Sequence, residues 1–247
     1  MIIEHLRQAV RQARRQSKDS RARAVLSPRS RAVIDEKLTY LDAEKLGRLE
    51  RAAEAALTRG PKGDALEFGV ALGGSAVVIA EIAVSHARAF HGFDVFSMIP
   101  APTSVKDDEK SRKRYEEISA GDSEGIGGDI YYGYRTDLYV EVCQTFTRHG
   151  FPVDGGRVTL HRGLFEETWP NYHSRNVAFA HIDCDWYDPV KFCLESIASR
   201  MGVGGRIVLD DYHDYGGCRE ATDEFLRQHP EFETYDGPNI VLLKQPH

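Results

Sequence analysis

From residue 65 onward the chain alternates short apolar runs with stretches of helical character, and few folds accommodate that rhythm. Residues 65–70 (ALEFGV) read as a strand running into glycines. Further strands are expected over 87–93, 157–161, 177–182, 206–209 and 239–244. Between them, 75–84 (SAVVIAEIAV) is apolar enough for a buried helix, and 188–201 and 217–228 also have helical character. Strands separated by helices imply βαβ units and a doubly wound, mostly parallel α/β sheet. Ahead of them, residues 38–57 place Leu41, Leu46, Leu49, Ala52, Ala53 and Ala56 on one helical face, and Gly60-Pro61-Lys62-Gly63 ends that helix.

A length of 247 residues suits one such domain with appendages. Residues 1–37 read as a basic N-terminal arm, helical over 4–16 and broken at Ser27-Pro28-Arg29-Ser30. Residues 38–247 read as the catalytic domain, carrying an insertion at 98–134. The first 35 residues carry a charge of +6 and the remainder −12, for a net −6. The arm has no aromatic interleaving for stacking on bases, so no nucleic-acid partner is expected. No apolar run approaches the roughly 20 residues of a membrane span, and the N-terminus lacks the pattern of a signal peptide. A cytoplasmic protein with no membrane partner is the expectation. Cys143, Cys184, Cys193 and Cys218 form no C-x-x-C pair and are expected as reduced thiols.

The insertion runs from a charged stretch (KDDEKSRKRYEE) into GDSEGIGGDIYYGYR. It is too long and too glycine-rich for an ordinary connection, which suggests a lid over substrate. Tyr131, Tyr132 and Tyr134 are candidate contacts to the acceptor.

Chemistry is expected where strands end. Glu67 to Ser75 (EFGVALGGS) lies at a strand-to-helix turn, where glycine lets backbone approach a ligand. It matches neither G-x-G-x-x-G nor the phosphate loop, which favours a nucleoside-type cofactor. Asp94 stands 25 residues after Gly69 at the end of the second expected strand, where a carboxylate accepts from ribose hydroxyls. That logic serves S-adenosylmethionine and nicotinamide dinucleotides alike.

The most specific signal is His181-Ile182-Asp183-Cys184-Asp185-Trp186-Tyr187, followed later by Leu209-Asp210-Asp211-Tyr212. In extended chain Asp183 and Asp185 point to one side. Asp210 and Asp211 share a site only if their strand ends there. Four clustered carboxylates repel one another unless a divalent cation joins them, and all-oxygen donors suit Mg²⁺, Mn²⁺ or Ca²⁺. His181 and His213 flank the aspartates and are expected as packed, hydrogen-bonded side chains. Trp186 and Tyr187 fit either a sugar-binding wall or the core. Cys184 has no charged neighbour in sequence to activate it.

With these stretches (HIDCDWYDPV, GGRIVLDDYHDYGGCREATDEF, LEFGVALGGSAV, HRGLFEETWP and, more weakly, LTYLDAEKLGRL) the chain resembles the macrocin O-methyltransferase family, which methylates sugar hydroxyls of antibiotics and related natural products. The resemblance covers roughly residues 38–245 and implies a Rossmann-like class I methyltransferase fold, S-adenosylmethionine as donor and a bound Mg²⁺ (or Mn²⁺). It makes Asp183, Asp210 and Asp211 the metal ligands and Asp185 the general base. It places Glu67, Gly69, Ser75, Asp94 and Gly163 against the cofactor, and the same set takes in Phe68, Val70, Gly74 and Asp183. Two departures concern the acceptor: Val95-Phe96-Ser97-Met98-Ile99-Pro100 stands where the family reads Ser-Phe-Glu-Gly-Leu-Pro, and Cys184 replaces a common glycine. The implied partner is a small glycosylated acceptor, with a homo-oligomer expected. Alternatives are a phenol or catechol O-methyltransferase, a nicotinamide-dependent oxidoreductase and a non-catalytic, metal-dependent carbohydrate-binding protein.

Overall fold

The structure is a computed structural model, and it describes residues 19–174 and 176–246. The helix expected over 4–16 lies outside the described residues. Among the described residues, 19–24 are helical, and α1 (Pro28–Asp35) and α2 (Ala43–Arg59) follow them ahead of the sheet. The sheet unit follows as β1 (Asp64–Phe68), α3 (Gly74–Ser85), β2 (Phe90–Asp94), α4 (Glu109–Ser119), α5 (Leu138–Arg148), β3 (Val158–Arg162), the short α6 (Phe165–Thr168), β4 (Val177–Ile182), α7 (Tyr187–Ala198), β5 (Met201–Leu209), α8 (Gly216–Gln228), β6 (Phe232–Tyr235) and β7 (Ile240–Lys244).

The seven strands run in the order β3-β2-β1-β4-β5-β7-β6. The first five are parallel, and β7 pairs antiparallel with both β5 and β6. The chain winds outward from β1 to β3, then returns to place β4 on the other side of β1. That reversal makes the β1–β4 junction a topological switch point, where ligands of open α/β sheets bind beyond the carboxyl ends of the strands. The doubly wound architecture expected from the sequence is what forms.

Side chains alternate across the sheet. Ala65, Phe90, Leu160 and Val208 face a core shared with α1, α2, α3 and α5, whereas Leu66, Phe68, Phe93, Ala180 and Leu209 face one shared with α7 and α8. No helix among the described residues is long and apolar enough to cross a membrane.

Several elements differ from the sequence reading. Ser27-Pro28 separates the helical residues 19–24 from the next helix and also starts that helix: the Ser27 side chain accepts from Ser30 N and Pro28 occupies the first turn, where its missing N–H is harmless. Helix α1 packs on the body through the fully buried Val33, and Arg29 reaches Glu81 on α3 at 3.1 Å. Helix α2 begins at Ala43, not at 38, because Asp42 caps it by accepting from Glu44 N and Lys45 N. Strand β6 had no apolar signature, since three of its four residues are exposed. Helix α5 was not expected, although Leu138, Val142, Thr145 and Phe146 form its buried stripe.

The insertion is ordered around α4. Asp108 caps that helix through Ser111 N and also accepts from Gly216 N at the start of α8. Asp107, 1% exposed, accepts from Tyr187 N at the start of α7, a helix whose own N-cap residue, Trp186, makes no capping bond. Two adjacent carboxylates therefore fasten the root of the insertion to both helices that follow the aspartate motifs.

Candidate active site

Beyond Phe68 the first strand turns sharply. Gly69 has φ +93°, and a Cβ there would lie 1.8 Å from the Asp183 carbonyl oxygen. Only glycine lets the ends of β1 and β4 come this close. Two backbone bonds lock the ends together: Asp183 N donates to Phe68 O at 2.9 Å and Asp210 N to Ile182 O at 3.1 Å. The motif aspartates thus leave two neighbouring strands, β4 and β5, beside the locked end of β1.

Asp94, at the end of β2, turns its carboxylate into the glycine turn. Its Oδ2 accepts from Val70 N at 2.7 Å and Ala71 N at 3.0 Å, and its Oδ1 from Phe96 N. Burial raises its pKa and the three N–H donors oppose that rise.

The four motif aspartates converge. Asp183, Asp210 and Asp211 each offer an oxygen, and these atoms all lie within 4.8 Å of one another. Strand β5 ends at Leu209, so Asp210 and Asp211 lie on the turn and both face the cavity. Asp185 also faces it, but not by simple alternation: its φ is +59°, and its N–H donates to Asp211 Oδ2 at 3.1 Å. The chain leaves extended geometry after Ile182, and this local bond holds Asp185 in the left-handed region.

Crowding shows in the acid constants. Burial and the charge of Asp210 push Asp183 up to about 8. The same two causes push Asp185 up to about 7, with Arg114 and Lys110 restraining it. Burial and the charges of Asp185, Asp183 and Asp210 raise Asp211 well above the carboxylate range. Asp210 Oδ1 is buried without a hydrogen-bond partner. Its Oδ2 accepts from Lys45 Nζ at 2.9 Å, and the same ammonium reaches Asp214 at 2.8 Å. Burial opposes the Lys45 charge, yet these carboxylates outweigh it and hold its pKa above the ordinary value.

Two cavities meet over this rim and share Gly69, Asp94, Tyr132, Asp183 and Asp185. The first, about 280 Å³, holds the four aspartates, faced by Lys110 and Arg114 of the insertion and by Tyr40, Tyr131 and Tyr215. The second, about 410 Å³, is walled largely by apolar groups, among them Val95, Ile99, Pro100, Leu164, Phe165 and Trp186. Trp186 serves as a wall there, with its Nε1 donating to Pro100 O at 3.0 Å.

Other residues expected at the cofactor sit behind this rim. Glu67 is fully buried and bonds His181 Nδ1 at 2.8 Å. The Phe68 ring stacks on Phe93 and meets Phe165 and Trp169 in the core. Val70 points into the other core and offers only its N–H, which Asp94 takes. Gly74 N donates to Leu38 O, and a Cβ there would lie 2.4 Å from the same oxygen. Ser75 is buried at the start of α3, and Gly163 N donates to Asp94 O. Of the flanking histidines, His181 is packed as expected, whereas His213 is exposed and bonds Asp236. Tyr187 turns away to Glu224 and Lys106. Burial raises the Cys184 thiol well above its ordinary pKa, so the thiol is not activated. Lys45, Lys110, Arg114 and Tyr40 were not anticipated, because each reaches the site from an element distant in sequence, whereas Tyr215 lies only four residues after Asp211 and was passed over.

The sequence profile of the macrocin O-methyltransferases matches residues 1–126 and 135–234. The chain belongs to the macrocin O-methyltransferase family. Like its family, this macrocin-type enzyme is an S-adenosylmethionine-dependent O-methyltransferase. Family membership selects the methyltransferase over the oxidoreductase and the non-catalytic alternative. Among curated relatives, it is 26% identical over 76% of its length to the 8-demethyl-8-(2,3-dimethoxy-alpha-L-rhamnosyl)-tetracenomycin-C 4'-O-methyltransferase of Streptomyces olivaceus, covering 67% of that protein. It is 27% identical to the mycinamicin III 3''-O-methyltransferase of Micromonospora griseorubida over 77% of this chain and 71% of that one. The macrocin-type fold is shared with the O-methyltransferase NovP, at a TM-score of 0.68 and 21% identity over 85% of this chain and 83% of that one. It is also shared with an S-adenosylhomocysteine-bound methyltransferase of Podospora anserina, at a TM-score of 0.59 and 15% identity over 96% of both chains.

Proposed function

We propose that this O-methyltransferase moves the methyl group of S-adenosylmethionine to a sugar hydroxyl of a glycosylated natural product, with a divalent cation held by Asp183, Asp210 and Asp211. The observation that carries the cation is Asp210 Oδ1, buried and unpartnered among carboxylates whose donor atoms lie within 4.8 Å. An orphaned anionic oxygen facing two other carboxylates is unfavourable unless a cation fills the gap. The all-oxygen donor set fits Mg²⁺ or Mn²⁺. A divalent cation bound there supplies Lewis acidity, offsetting the carboxylate repulsion and making a nearby alcohol more acidic.

The protein's own groups do the rest. A carboxylate offers about four lone-pair sites, and three backbone N–H groups use Asp94, which leaves room for one ribose hydroxyl. The apolar second cavity would hold the adenosyl part of S-adenosylmethionine, which would supply the activated methyl group where the two cavities meet at Gly69 and the aspartates. Asp185 shares both cavities and takes the proton of the attacking hydroxyl. Arg114 and Lys110 oppose the rise that burial and the Asp210 charge impose on its pKa, which favours the ionised form that accepts a proton. Positioning by the walls supplies much of the remaining acceleration.

A sugar as acceptor is supported by the relatives named for rhamnosyl-tetracenomycin and mycinamicin III. The aromatic walls Tyr40, Tyr131 and Tyr215 suit a sugar face. The test is methyl transfer from isotopically labelled S-adenosylmethionine to a panel of rhamnosylated compounds and simple phenols. Label on a sugar oxygen is expected. Label on phenols alone would make this a phenol O-methyltransferase.

A further inference from the structure

Lys45 bonds the aspartate cluster without lining either cavity, so it approaches from behind. Its ammonium donates to Asp210 Oδ2 at 2.9 Å, to the Asp210 carbonyl oxygen at 3.2 Å and to Asp214 Oδ2 at 2.8 Å. An ammonium has three N–H groups, and these three acceptors use them all. The Lys45 side chain is 18% exposed and that of Asp210 10%, whereas that of Asp214 is 47% exposed. The contact with Asp214 is open to water and holds weakly. The pair with Asp210 is the shielded one.

The lysine is itself held at its backbone. Its N–H donates to the helix-capping Asp42 Oδ1 at 2.8 Å, and its carbonyl accepts from the side chain of the fully buried Asn239 at 3.3 Å. The next residues of the helix that face the core, Leu46 and Leu49, are fully buried and seat α2 against the sheet. Helix α2 therefore brings the Lys45 ammonium to a defined place beyond the end of β5.

Two bonds to one residue constrain it more than one does. The same ammonium takes the carbonyl and Oδ2 of Asp210, which closes a ring through main chain and side chain and restricts both side-chain torsions. Oδ1 is then the oxygen left over, and it is the atom buried without a partner. Resting on the cation reading above, we propose that Lys45 is the positioning residue of the cation site, holding Asp210 with Oδ1 toward Asp183 and Asp211. An ammonium behind a metal ligand has two opposed effects. Its charge repels a divalent cation, and its hydrogen bonds preorganise the ligand. Here two carboxylates already share that charge, which blunts the repulsion, while the hydrogen bonds act on the donor residue itself. Positioning therefore outweighs repulsion, and α2, which lies ahead of the sheet in the chain, belongs to the catalytic apparatus.

The test is Mn²⁺ titration of the full chain, followed by electron paramagnetic resonance, with thermal melting in EDTA to establish that each variant is folded. Lys45→Met is expected to weaken Mn²⁺ binding by about 10- to 100-fold, the usual effect of removing a group that orients a metal ligand. It should leave S-adenosylhomocysteine affinity in place, because Lys45 lines neither cavity. Lys45→Arg, which keeps a charged donor there, should fall between Lys45→Met and wild type. Lys45→Gln, neutral and shorter, takes the place of Lys45→Met if that variant does not fold, and the same loss is expected. The role is overturned if the folded neutral variant binds Mn²⁺ as wild type does, since Lys45 is then a structural ion pair only. It is equally overturned if that variant binds Mn²⁺ more tightly, since the ammonium then merely competes with the cation. Failure of wild-type protein to bind Mn²⁺ is a separate result: it overturns the cation reading itself, and the role of Lys45 with it.

Discussion

Glu67 and His181 are partners in register across the β1–β4 ladder, and their side chains meet at 2.8 Å, both fully buried, directly beneath the aspartate rim. Burial raises the Glu67 pKa. Burial works against protonated His181, but the Glu67 carboxylate outweighs it and raises the histidine. Breaking a buried pair on one side costs about 3–5 kcal/mol. Glu67→Ala is therefore expected to lose that much stability in urea unfolding. The folded fraction should bind S-adenosylhomocysteine with little change, because this carboxylate is fully buried against His181 and Ser75 and lines neither cavity. A stable variant with lost cofactor binding would place Glu67 on the ligand instead.

Asp94 has a double task, which separates it from Glu67. It clamps the glycine turn through Val70 N and Ala71 N, and in the proposed reading its remaining acceptor site would take a ribose hydroxyl. Asp94→Ala is expected to weaken S-adenosylmethionine binding by about 10- to 150-fold for the lost charge-assisted bond. It should also lower thermal stability, since three N–H groups lose their acceptor. Calorimetry beside a melting curve checks both; unchanged affinity would remove Asp94 from the cofactor site.

The insertion should move only in part. Asp107 and Asp108 fasten its root to Tyr187 N and Gly216 N. Amides of α4 are expected to be protected from hydrogen exchange in every state. Those of residues 120–130 should exchange fast in the cofactor-free enzyme and slow down with cofactor and acceptor. Uniform exchange in both states would count against a lid.

A half-buried histidine pair is expected to contribute to acid stability. His161 Nε2 lies 3.1 Å from His91 Nδ1, with Asp64 and Tyr172 beside His91. Burial, then the neighbouring His91, lowers His161 to about 4 from an ordinary 6.5. Below pH 6.5 the unfolded chain takes up a proton that the folded chain refuses until about pH 4. This contribution is full above pH 6.5 and is lost as pH falls toward 4. His161→Gln should flatten the dependence of the unfolding midpoint on pH over that window. An unaltered slope would show that other groups set it.

The sequence made the sheet legible because parallel strands are buried on both faces and appear as uninterrupted apolar runs, as in Val177–Ile182. It hid β6, whose residues mostly face solvent, and α5, whose apolar stripe is interrupted by polar residues. The aspartates were legible because strand ends announce themselves locally. Lys45 was not, since it meets Asp210 across 165 residues and only the packing of α2 over the rim brings it there. Asp185 was assigned to the right cavity for an incomplete reason, because the left-handed turn and not strand alternation aims its side chain. Glu67 and Phe68 show the converse: a motif residue marks a site without having to line it.

The central claim is a division of labour within the aspartate cluster, and it is tested most directly by measuring Mn²⁺ binding and single-turnover methyl transfer side by side in Asp185→Asn and Asp183→Asn. If Asp183 is a ligand and Asp185 the base, Asp185→Asn should bind Mn²⁺ and S-adenosylmethionine nearly as wild type while transfer falls about 10²–10⁴-fold. Asp183→Asn should lose Mn²⁺ affinity first and recover part of its activity at high metal concentration. In both, chelation should abolish what transfer remains. Loss of Mn²⁺ binding in Asp185→Asn, or full wild-type transfer after exhaustive chelation, would contradict the account.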